Sequence, residues 1–339
     1  MIRDAFTVLG MTCLAFLVSP EAGRAPTARD HLASGEAYLS QNHPREALAE
    51  FQAAQTLDPS LADAHAGSSR AFLAQGQIVQ AAAEAEEARR LAPGRIDLDR
   101  LAALIHYRAG NYPQANLLLA RILQKDPRDA AARYHLGRIL LSWYSNLRAL
   151  QQFEAAVGLD PENASYQHYR GVALKRLGRL EEAAAAFRQA AQLDPGQPGP
   201  PFYLGWVMLE QGKAAESEKF LREAIRLDPT LAEAHFRLAL ALITRKDFAA
   251  AVASLRKAIE LLPNFDLAWY NLGKCYTWMG KKEEARKAFD RFRELEPYAN
   301  RIRELQQTLA RSPADLAVQK ELRELLQKVG ETSHEPGRR

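Results

Sequence analysis

The sequence is poor in cysteine and in excess charge of either sign. Its 339 residues include only two cysteines, Cys13 and Cys275, which excludes a fold held together by a framework of disulfide bonds. Lys and Arg outnumber Asp and Glu by only 45 to 41, so the chain lacks the dense positive charge that binding to a phosphate backbone requires. No nucleic-acid partner is therefore expected.

Sequence motifs of catalysis and of metal binding are also missing. The chain contains no HExxH, no CxxC, no phosphate-binding glycine-rich loop and no nucleophile elbow, which are local arrangements that place a metal, a phosphate or a nucleophile. Glutamate pairs such as Glu181 with Glu182 fall at predicted helix starts, where they complement the helix dipole. The sequence predicts neither catalytic residues nor a metal or cofactor, and hence a protein that is not an enzyme.

The longest apolar stretch lies near the N-terminus and is too short to span a membrane. Arg3 precedes the run AFTVLGMTCLAFLV, whereas a transmembrane helix needs about 18 or more such residues. A basic residue before an apolar core of this length is typical of a signal peptide. We predict a signal peptide over residues 1–27 and export to the periplasm or out of the cell. The alternatives are a retained short anchor, which would bring the chain to a membrane, and a cytoplasmic protein.

Proline, by contrast, recurs with a strict period. Eight prolines follow one another at intervals of 34 residues without an insertion: Pro59, Pro93, Pro127, Pro161, Pro195, Pro229, Pro263 and Pro297. A fixed period of this length predicts an array of structural repeats. With each proline at position 32, the eight repeats cover residues 28–61, 62–95, 96–129, 130–163, 164–197, 198–231, 232–265 and 266–299.

Each repeat is predicted to form two helices. Apolar residues recur at spacings of three and four in both halves, as in the segment AFRQAAQLDP, which is the pattern of amphipathic helices. The proline is expected to stop the second helix, because its ring cannot continue the helical hydrogen-bond ladder. A glycine or an asparagine is expected to stop the first helix in six repeats: Asn42, Gly76, Gly110, Gly178, Gly212 and Gly280.

Small residues mark the predicted contact between the two helices of a repeat. Position 8 is glycine in five repeats and position 20 is alanine in seven, whereas position 24 is phenylalanine or leucine in seven. Glycine inside a helix costs about 0.5 to 1 kcal/mol relative to alanine, so a compensating interaction is expected. We predict that the small residues let the two helices approach closely and that position 24 fills the space beside them.

This spacing, with its small, aromatic and proline positions, resembles the tetratricopeptide repeat family over residues 28–299. The resemblance implies an all-α solenoid, in which antiparallel helix pairs stack into a right-handed superhelix and the first helices line a concave groove that binds peptides or proteins. The tryptophan that the family has at position 4 is present only as Trp269. His31, His65 and His235 occupy that position in other repeats and are expected to pack in its place.

Two segments depart from the repeat pattern. The stretch DPGQPGPPFYLGWVM keeps the 34-residue period, so its prolines are predicted to delay the first helix of repeat six and not to link two domains. After Pro297, residues 300–330 are predicted to form two capping helices with a turn at Ser312 and Pro313, and residues 331–339 are predicted to be a disordered tail.

Residues at the groove positions of this family are the candidate binding residues. In repeats two to five they are mostly basic: Arg70, Arg100, Tyr107, Arg108, Tyr134, Arg138, His168, Lys175 and Arg176. In repeats six to eight they are mostly aromatic or aliphatic: Phe202, Trp206, Phe236, Leu240, Ile243, Tyr270, Lys274 and Trp278. Tryptophan and arginine are common in binding hot spots. The alternative is that the aromatic residues pack between repeats and that the basic ones are ordinary solvated charges.

The sequence therefore predicts a non-catalytic adaptor that binds a peptide or protein partner, with acidic and apolar segments, in the groove. Some members of the family hold chaperone C-termini with groove asparagines, and position 9 has none in the eight repeats, which argues against that partner. One alternative function is an architectural scaffold of an exported envelope, pilus or secretion complex, held by its convex face or its ends. Another is an accessory subunit of a separate enzyme.

Overall fold

The computed structural model describes residues 24–311 and 315–329, and the regular elements within them are seventeen α-helices. Most of the predicted signal peptide, the turn at Ser312 and Pro313, and the predicted tail lie outside the described residues. The chain divides into two compact units, of which unit 1 ends at Leu118 and unit 2 begins at Leu119.

Unit 1 is built from consecutive helix pairs. Within it α1 packs against α2, α2 against α3, α3 against α4 and α4 against α5. The helices are α1 (Ala28–Ser40), α2 (Pro44–Leu57), α3 (Ala62–Ala74), α4 (Ile78–Leu91) and α5 (Ile96–Arg108), followed by α6 (Tyr112–Lys125), in which the unit boundary falls.

Unit 2 has the same pairing, and in both units first helices also contact one another. Its elements are α7 (Ala130–Ser142), α8 (Asn146–Leu159), α9 (Ala164–Arg176), α10 (Leu180–Leu193), α11 (Gly199–Glu210), α12 (Ala214–Leu227), α13 (Ala232–Thr244), α14 (Phe248–Leu261), α15 (Asp266–Trp278), α16 (Lys282–Arg311) and α17 (Leu316–Val329). Helix α9 contacts both α7 and α11, and α11 contacts α13. These consecutive helix pairs confirm the predicted all-α solenoid.

The first helix of repeat six starts late, as its prolines predict. The other seven first helices begin at the first residue of their repeat, whereas α11 begins at Gly199, after Pro198. Pro200 and Pro201 then fall in its first turn, where the missing N–H groups have no partner in the helix to lose. The proline-rich stretch is therefore part of a repeat.

The second residue after each first helix adopts a left-handed backbone conformation. All six predicted stop residues have positive φ values, from 61° at Asn42 to 76° at Gly178. Tyr144 and Lys246 occupy the same position in repeats four and seven, with φ of 55° and 63°. Left-handed φ values are unfavourable for residues with a Cβ atom. A tyrosine or a lysine therefore does not indicate a helix stop, and the sequence gives no sign of one at these two positions.

The aspartate before the repeat proline explains the Leu-Asp-Pro setting. Asp58, Asp194 and Asp228 end their helices in an extended conformation. Their Oδ1 atoms accept hydrogen bonds from the backbone N–H two residues on, at 3.0, 3.1 and 2.9 Å. This local turn replaces helical hydrogen bonds that the following proline cannot donate.

Repeat eight does not end at its proline, which corrects the prediction. Helix α16 runs from Lys282 to Arg311 with Pro297 inside it, so the first predicted capping helix is its continuation. Glu296 stands where five other repeats have aspartate and forms no such turn. Leu295, Ile302 and Leu305 are buried along α16, and this burial offsets the hydrogen bond that proline cannot donate. The second capping helix, α17, packs against α16.

An aromatic ring covers the glycine at position 8. A Cβ atom added to Gly171 would lie 2.7 Å from Cε1 of Phe187, well inside van der Waals contact. The same overlap recurs between Gly35 and Phe51, Gly137 and Phe153, and Gly273 and Phe289. In repeat seven the pair is Ala239 and Leu255, both buried in one apolar cluster. Phenylalanine stands at position 24 only in repeats that have glycine at position 8, as a close-packed contact requires. In repeat six Leu221 covers Gly205 instead.

Position 4 supplies a hydrogen-bond donor, a role that the sequence did not reveal. The side chains of His65, His235 and Trp269 lie within hydrogen-bond distance of the carbonyl oxygen of the proline six residues earlier, at 3.3, 3.1 and 2.9 Å. Arg133 and Gln167 do the same in repeats four and five, at 2.7 and 3.4 Å. Each of these side chains carries an N–H group that reaches the equivalent carbonyl oxygen, which explains how different residue types can occupy this position. His31, in repeat one, instead contacts Glu50 at 2.7 Å.

Within residues 24–311 and 315–329, no helix is both long enough and apolar enough to cross a membrane.

Substituting Gly171 with Ala tests the ring-over-glycine contact. We expect the free energy of unfolding to fall by roughly 1 to 3 kcal/mol, because the new methyl overlaps the Phe187 ring. The matched control is Gly158→Ala in α8, where an added Cβ meets nothing within 4 Å. It should be neutral or stabilise by up to about 1 kcal/mol. Urea titrations followed by circular dichroism measure both, and equal effects of the two substitutions would contradict the packing argument.

Substituting Trp269 tests the donor role of position 4. Trp269→Phe keeps an aromatic ring but leaves the Pro263 carbonyl without its indole donor, so we expect a loss of about 0.5 to 1.5 kcal/mol. Trp269→His should retain more stability, since His235 contacts Pro229 in the same way. The same urea titrations compare the variants. If the phenylalanine variant were at least as stable as the histidine variant, packing alone would account for this position.

Candidate functional site

In unit 1 the candidate binding residues lie on α3 and α5. Arg70 is exposed and ion-paired with Glu36 of α1, while Arg100 and Arg108 lie at exposed positions of α5. Tyr107 is half-buried, and its ring centroid lies 5.6 Å from that of Tyr112. Unit 1 thus presents these cations along two helices, and a carboxylate neutralises Arg70.

On α7 and α9 of unit 2, Arg138 lies against two tyrosines, and one of these contacts a third. The ring centroid of Tyr134 lies 5.1 Å from that of Tyr166 and 5.4 Å from that of Tyr169. The guanidinium carbon of Arg138 lies 4.8 Å from the Tyr169 centroid, and its Nη1 donates a hydrogen bond to the Tyr134 hydroxyl at 3.3 Å. Burial raises the pKa of Tyr134, so its phenol remains a neutral acceptor. We call these four residues the tyrosine–arginine cluster.

Helices α7 and α9 carry positive charge without any acidic residue. Their sequences, AAARYHLGRILLS and ASYQHYRGVALKR, contain five Lys or Arg residues and no Asp or Glu. Several of these cations bind neutral oxygens: Arg133 contacts Pro127 O, Arg170 contacts Gln167 Oε1 and Arg176 contacts Leu141 O. Neutral oxygens therefore hold Arg133, Arg170 and Arg176 in place.

Trp206 of α11 lies between two cations. Lys175 Nζ lies 3.5 Å from the indole ring centroid and the guanidinium carbon of Arg237 lies 3.8 Å from it. Helices α9 and α13, which carry these cations, both contact α11. Such short centroid distances place a cation over a ring face, where the aromatic quadrupole attracts it. We call Lys175, Trp206 and Arg237 the cation–tryptophan sandwich.

A glutamate partners each cation of the sandwich. Lys175 Nζ lies 3.0 Å from Glu210 Oε1, and Arg237 Nη2 lies 2.9 Å from Glu233 Oε1. Burial lowers the pKa of Lys175, and the ion pair with Glu210 opposes that shift. A ligand can therefore stack on the indole only by displacing a cation, whereas a carboxylate can approach the cations themselves.

Sequence reasoning missed two members of this region. Arg237 and Tyr203 lie at position 6 of their repeats, whereas the groove positions of the family are 2, 5, 9, 12 and 13. The Tyr203 ring is nearly parallel to that of Trp206, with centroids 5.8 Å apart. The spacing of three residues between Tyr203 and Trp206, which places both on one side of a helix, was the available signal.

Three of the candidate binding residues are buried. Phe202 and Phe236 belong to one apolar cluster, so they support the first helices and present no surface to a partner. The His168 ring packs against Phe187 and Tyr203, with centroids 5.6 and 5.3 Å apart. The structure therefore favours the packing alternative for these three residues.

The α15 face, defined by Tyr270, Lys274 and Trp278, exposes two aromatic rings of unit 2. Tyr270 is 39% exposed and Trp278 48% exposed. Lys274 Nζ lies 5.5 Å from the Tyr270 centroid and 5.2 Å from the Trp278 centroid. Phe248 of α14 supports Trp278, with ring centroids 4.9 Å apart. Leu240 and Ile243 of α13 are half-buried and pack against the core.

The chemistry available on these helices is recognition. Guanidinium and ammonium groups bind carboxylates, and the exposed rings bind apolar side chains. Burial raises the pKa of Cys275 to about 11, so its thiol is protonated and a poor nucleophile at neutral pH. Over the described ranges, no three His, Cys, Asp or Glu side chains converge on a possible metal position.

Comparisons with known proteins agree with this architecture. Two family models described as tetratricopeptide repeat match the chain, one over residues 174–243 and 242–307, the other over 32–96, 100–142 and 146–198. No curated protein matches the sequence.

Two solved structures of low sequence identity share the fold. A tetratricopeptide repeat protein from Parabacteroides merdae has a TM-score of 0.59 at 14% identity, over 73% of this chain and 98% of its own. The Cut9–Hcn1 hetero-tetramer of the APC/C has a TM-score of 0.52 at 15% identity, over 89% of this chain and 67% of its own. YrrB, described as having an unusual peptide-binding site, has a TM-score of 0.45 at 21% identity, over 53% and 92%.

The burial of His168 predicts a pH-dependent stability. The pKa of His168 is lowered to about 4, mainly because the ring is buried and also because the Arg138 charge is nearby. The unfolded chain therefore takes up the proton first as the pH falls below about 6.5, and the folded state loses stability. We expect a loss of about 2 kcal/mol between pH 7 and pH 5 from this group.

Urea titrations of the wild type and of His168→Asn at the two pH values measure this contribution. The asparagine variant should show a smaller difference between them, whatever its stability at pH 7. His235, whose pKa is also lowered by burial, remains in both proteins. An unchanged pH dependence would show that His168 does not titrate as its surroundings imply.

Proposed function

The chain belongs to the tetratricopeptide repeat family, and from this premise we propose that it is a non-catalytic adaptor whose first helices in unit 2 bind a segment of a partner protein. The observation that carries the proposal is the arrangement of charge and aromatic surface on those helices. Helices α7 and α9 have five basic residues and no acidic one, and the α15 face exposes two aromatic rings beside a lysine.

The charge distribution favours a partner segment with acidic residues. A carboxylate placed near the tyrosine–arginine cluster can replace weaker neutral acceptors, since charge-assisted hydrogen bonds are shorter and stronger. The tyrosine rings hold the guanidinium of Arg138 in position before binding, so less side-chain entropy is lost on association. Electrostatic attraction also raises the rate of association and makes it sensitive to salt.

The α15 face favours apolar side chains in the same partner. Trp278 is supported from behind by Phe248, so its exposed surface can be covered without rearrangement. Burying an aromatic hot spot contributes about 2 kcal/mol or more to binding. We propose a partner segment with acidic residues over α7 and α9 and apolar residues over α15, in line with the sequence prediction.

The compartment of this partner is also part of the proposal. A signal peptide over residues 1–27 would place the adaptor and its partner outside the cytoplasm, where an envelope or secreted protein is the expected partner. Should the chain serve as an accessory subunit of a separate enzyme, that enzyme would be the bound partner.

A double substitution on the α15 face tests the proposal. Trp278→Ala with Lys274→Glu removes the exposed indole and reverses the charge beside it, and should lower partner recovery in affinity purification about tenfold or more. Arg256→Glu is the matched control, because Arg256 lies exposed on the second helix α14. Circular dichroism verifies that all three proteins are folded.

Salt dependence separates groove binding from scaffolding. Wild-type recovery should fall as ionic strength rises, and that dependence should be weaker in the double variant. If the double variant recovered the same proteins as the wild type at every salt concentration, the first-helix face would not be the binding surface. A scaffold held by its convex face or ends would then be the better explanation.

A further inference from the structure

The turn between α7 and α8 carries an aromatic residue in a backbone conformation that favours glycine. Tyr144 has φ of 55°, whereas six other repeats have glycine or asparagine at this position. A residue with a Cβ atom is strained there. Tyr144 is also 52% exposed, so burial of its ring in the core does not explain its presence.

The turn is held firmly in this conformation. The N–H of Ser145 donates to Leu140 O at 2.9 Å and the N–H of Tyr144 donates to Leu141 O at 3.1 Å. Trp143, immediately before, is half-buried and packs against the buried cluster of unit 2. Tyr144 is therefore presented from a rigid support, which lowers the entropy lost when a partner covers it.

A second apolar side chain lies beside the turn. Leu147, in the first turn of α8, is 59% exposed, one of the highest exposures among the large apolar side chains of the described residues. An isolated exposed leucine is common in proteins. A leucine three residues from an exposed tyrosine in a strained position forms a small apolar centre of the kind found in interfaces.

The charges around this centre are positive. The guanidinium carbon of Arg176 lies 5.7 Å from the Tyr144 centroid, and its Nη1 donates to Leu141 O at 2.7 Å, so a neutral oxygen holds it. Arg148 is exposed, and no ion pair joins it to another described residue. Arg179, in the next turn along, is instead neutralised by Glu182 at 2.6 Å. Arg148 and Arg176, the two arginines nearest the apolar centre, thus have no carboxylate partner among the described residues.

We propose that Tyr144, Leu147, Arg148 and Arg176, the turn patch, dock an acidic segment of a partner protein that also carries an apolar side chain. The apolar side chain covers Tyr144 and Leu147, and the carboxylates pair with the two arginines. This surface lies at the turn edge of unit 2 and is separate from the α15 face. It shares Arg176 with the basic helices of the proposed function, whereas Tyr144, Leu147 and Arg148 lie outside α7 and α9. Arg176, which the sequence assigned to the groove, belongs to this edge.

Substituting Tyr144 with Gly separates binding from folding. Glycine adopts the left-handed conformation without strain, so the variant should keep or raise its urea midpoint while losing the aromatic contact. Lys246→Gly is the matched control, because Lys246 has φ of 63° at the same position of repeat seven. It should have the same effect on the urea midpoint and none on binding.

A displayed library of random 12-residue peptides serves as the probe. Peptides are selected on the wild type and counter-selected on Tyr144→Gly, so that only ligands of the turn patch remain. We expect the selected peptides to be enriched in Asp or Glu together with Leu, Ile or Phe. They should bind Lys246→Gly as they bind the wild type, and bind Tyr144→Gly and Arg148→Glu at least tenfold more weakly at low salt.

Several outcomes would overturn the proposal. One is that no Tyr144-dependent peptide emerges, and another is that the selected peptides lack acidic residues. Sedimentation velocity showing a dimer that Tyr144→Gly abolishes would assign the turn patch to a second copy of the chain. Binding of anionic phosphatidylserine vesicles that the same substitution abolishes would assign it to a membrane.

Retention of peptide binding by the Trp278→Ala and Lys274→Glu protein would show that the turn patch acts independently of the α15 face.

Discussion

The close approach of two helices within each repeat is the constraint on which the other features depend. In four repeats a phenylalanine ring at position 24 occupies the space that a Cβ atom at position 8 would need, as Phe187 does over Gly171. Because the ring is large and rigid, it fixes both the separation and the offset of the helix pair. The position of each first helix relative to the first helix of the next repeat is then also defined. The tyrosine–arginine cluster and the cation–tryptophan sandwich form between such neighbouring first helices.

The fold was readable from the sequence because its determinants are local and repeated. The period of Pro59 and its seven counterparts, the glycine stops and the small residues at positions 8 and 20 each constrain the backbone within a few residues. The exceptions arose where a local rule was overridden by packing. Helix α16 passes through Pro297 because buried apolar residues on both sides of the proline stabilise the continuous helix.

The candidate site was only partly predictable because it depends on contacts between repeats. Trp206 and Lys175 were correctly picked as residues of the first helices, yet their stacking required the geometry of two adjacent helices. Phe202 and Phe236 looked like groove residues by position and are buried, since an aromatic ring can turn either way from the same helix. Tyr144 gave no signal, because a stop without glycine leaves no mark in the sequence. The predicted division into a basic half and an aromatic half also simplifies what the structure shows, where cations and rings are stacked on each other.

The stacking of first helices implies that contacting residues lie at fixed separations along the sequence. Three contacting pairs are separated by thirty-one residues: Arg138 with Tyr169, Lys175 with Trp206, and Trp206 with Arg237. Lys175 and Glu210, and Tyr134 and Tyr169, are separated by thirty-five. The two offsets lie on either side of the 34-residue period and differ by four, about one helical turn. In an array of this period, residues at these two offsets therefore face each other across adjacent repeats, just as residues four apart do along a single helix. Complementary pairs can thus be sought at both offsets in a sequence before any coordinates exist.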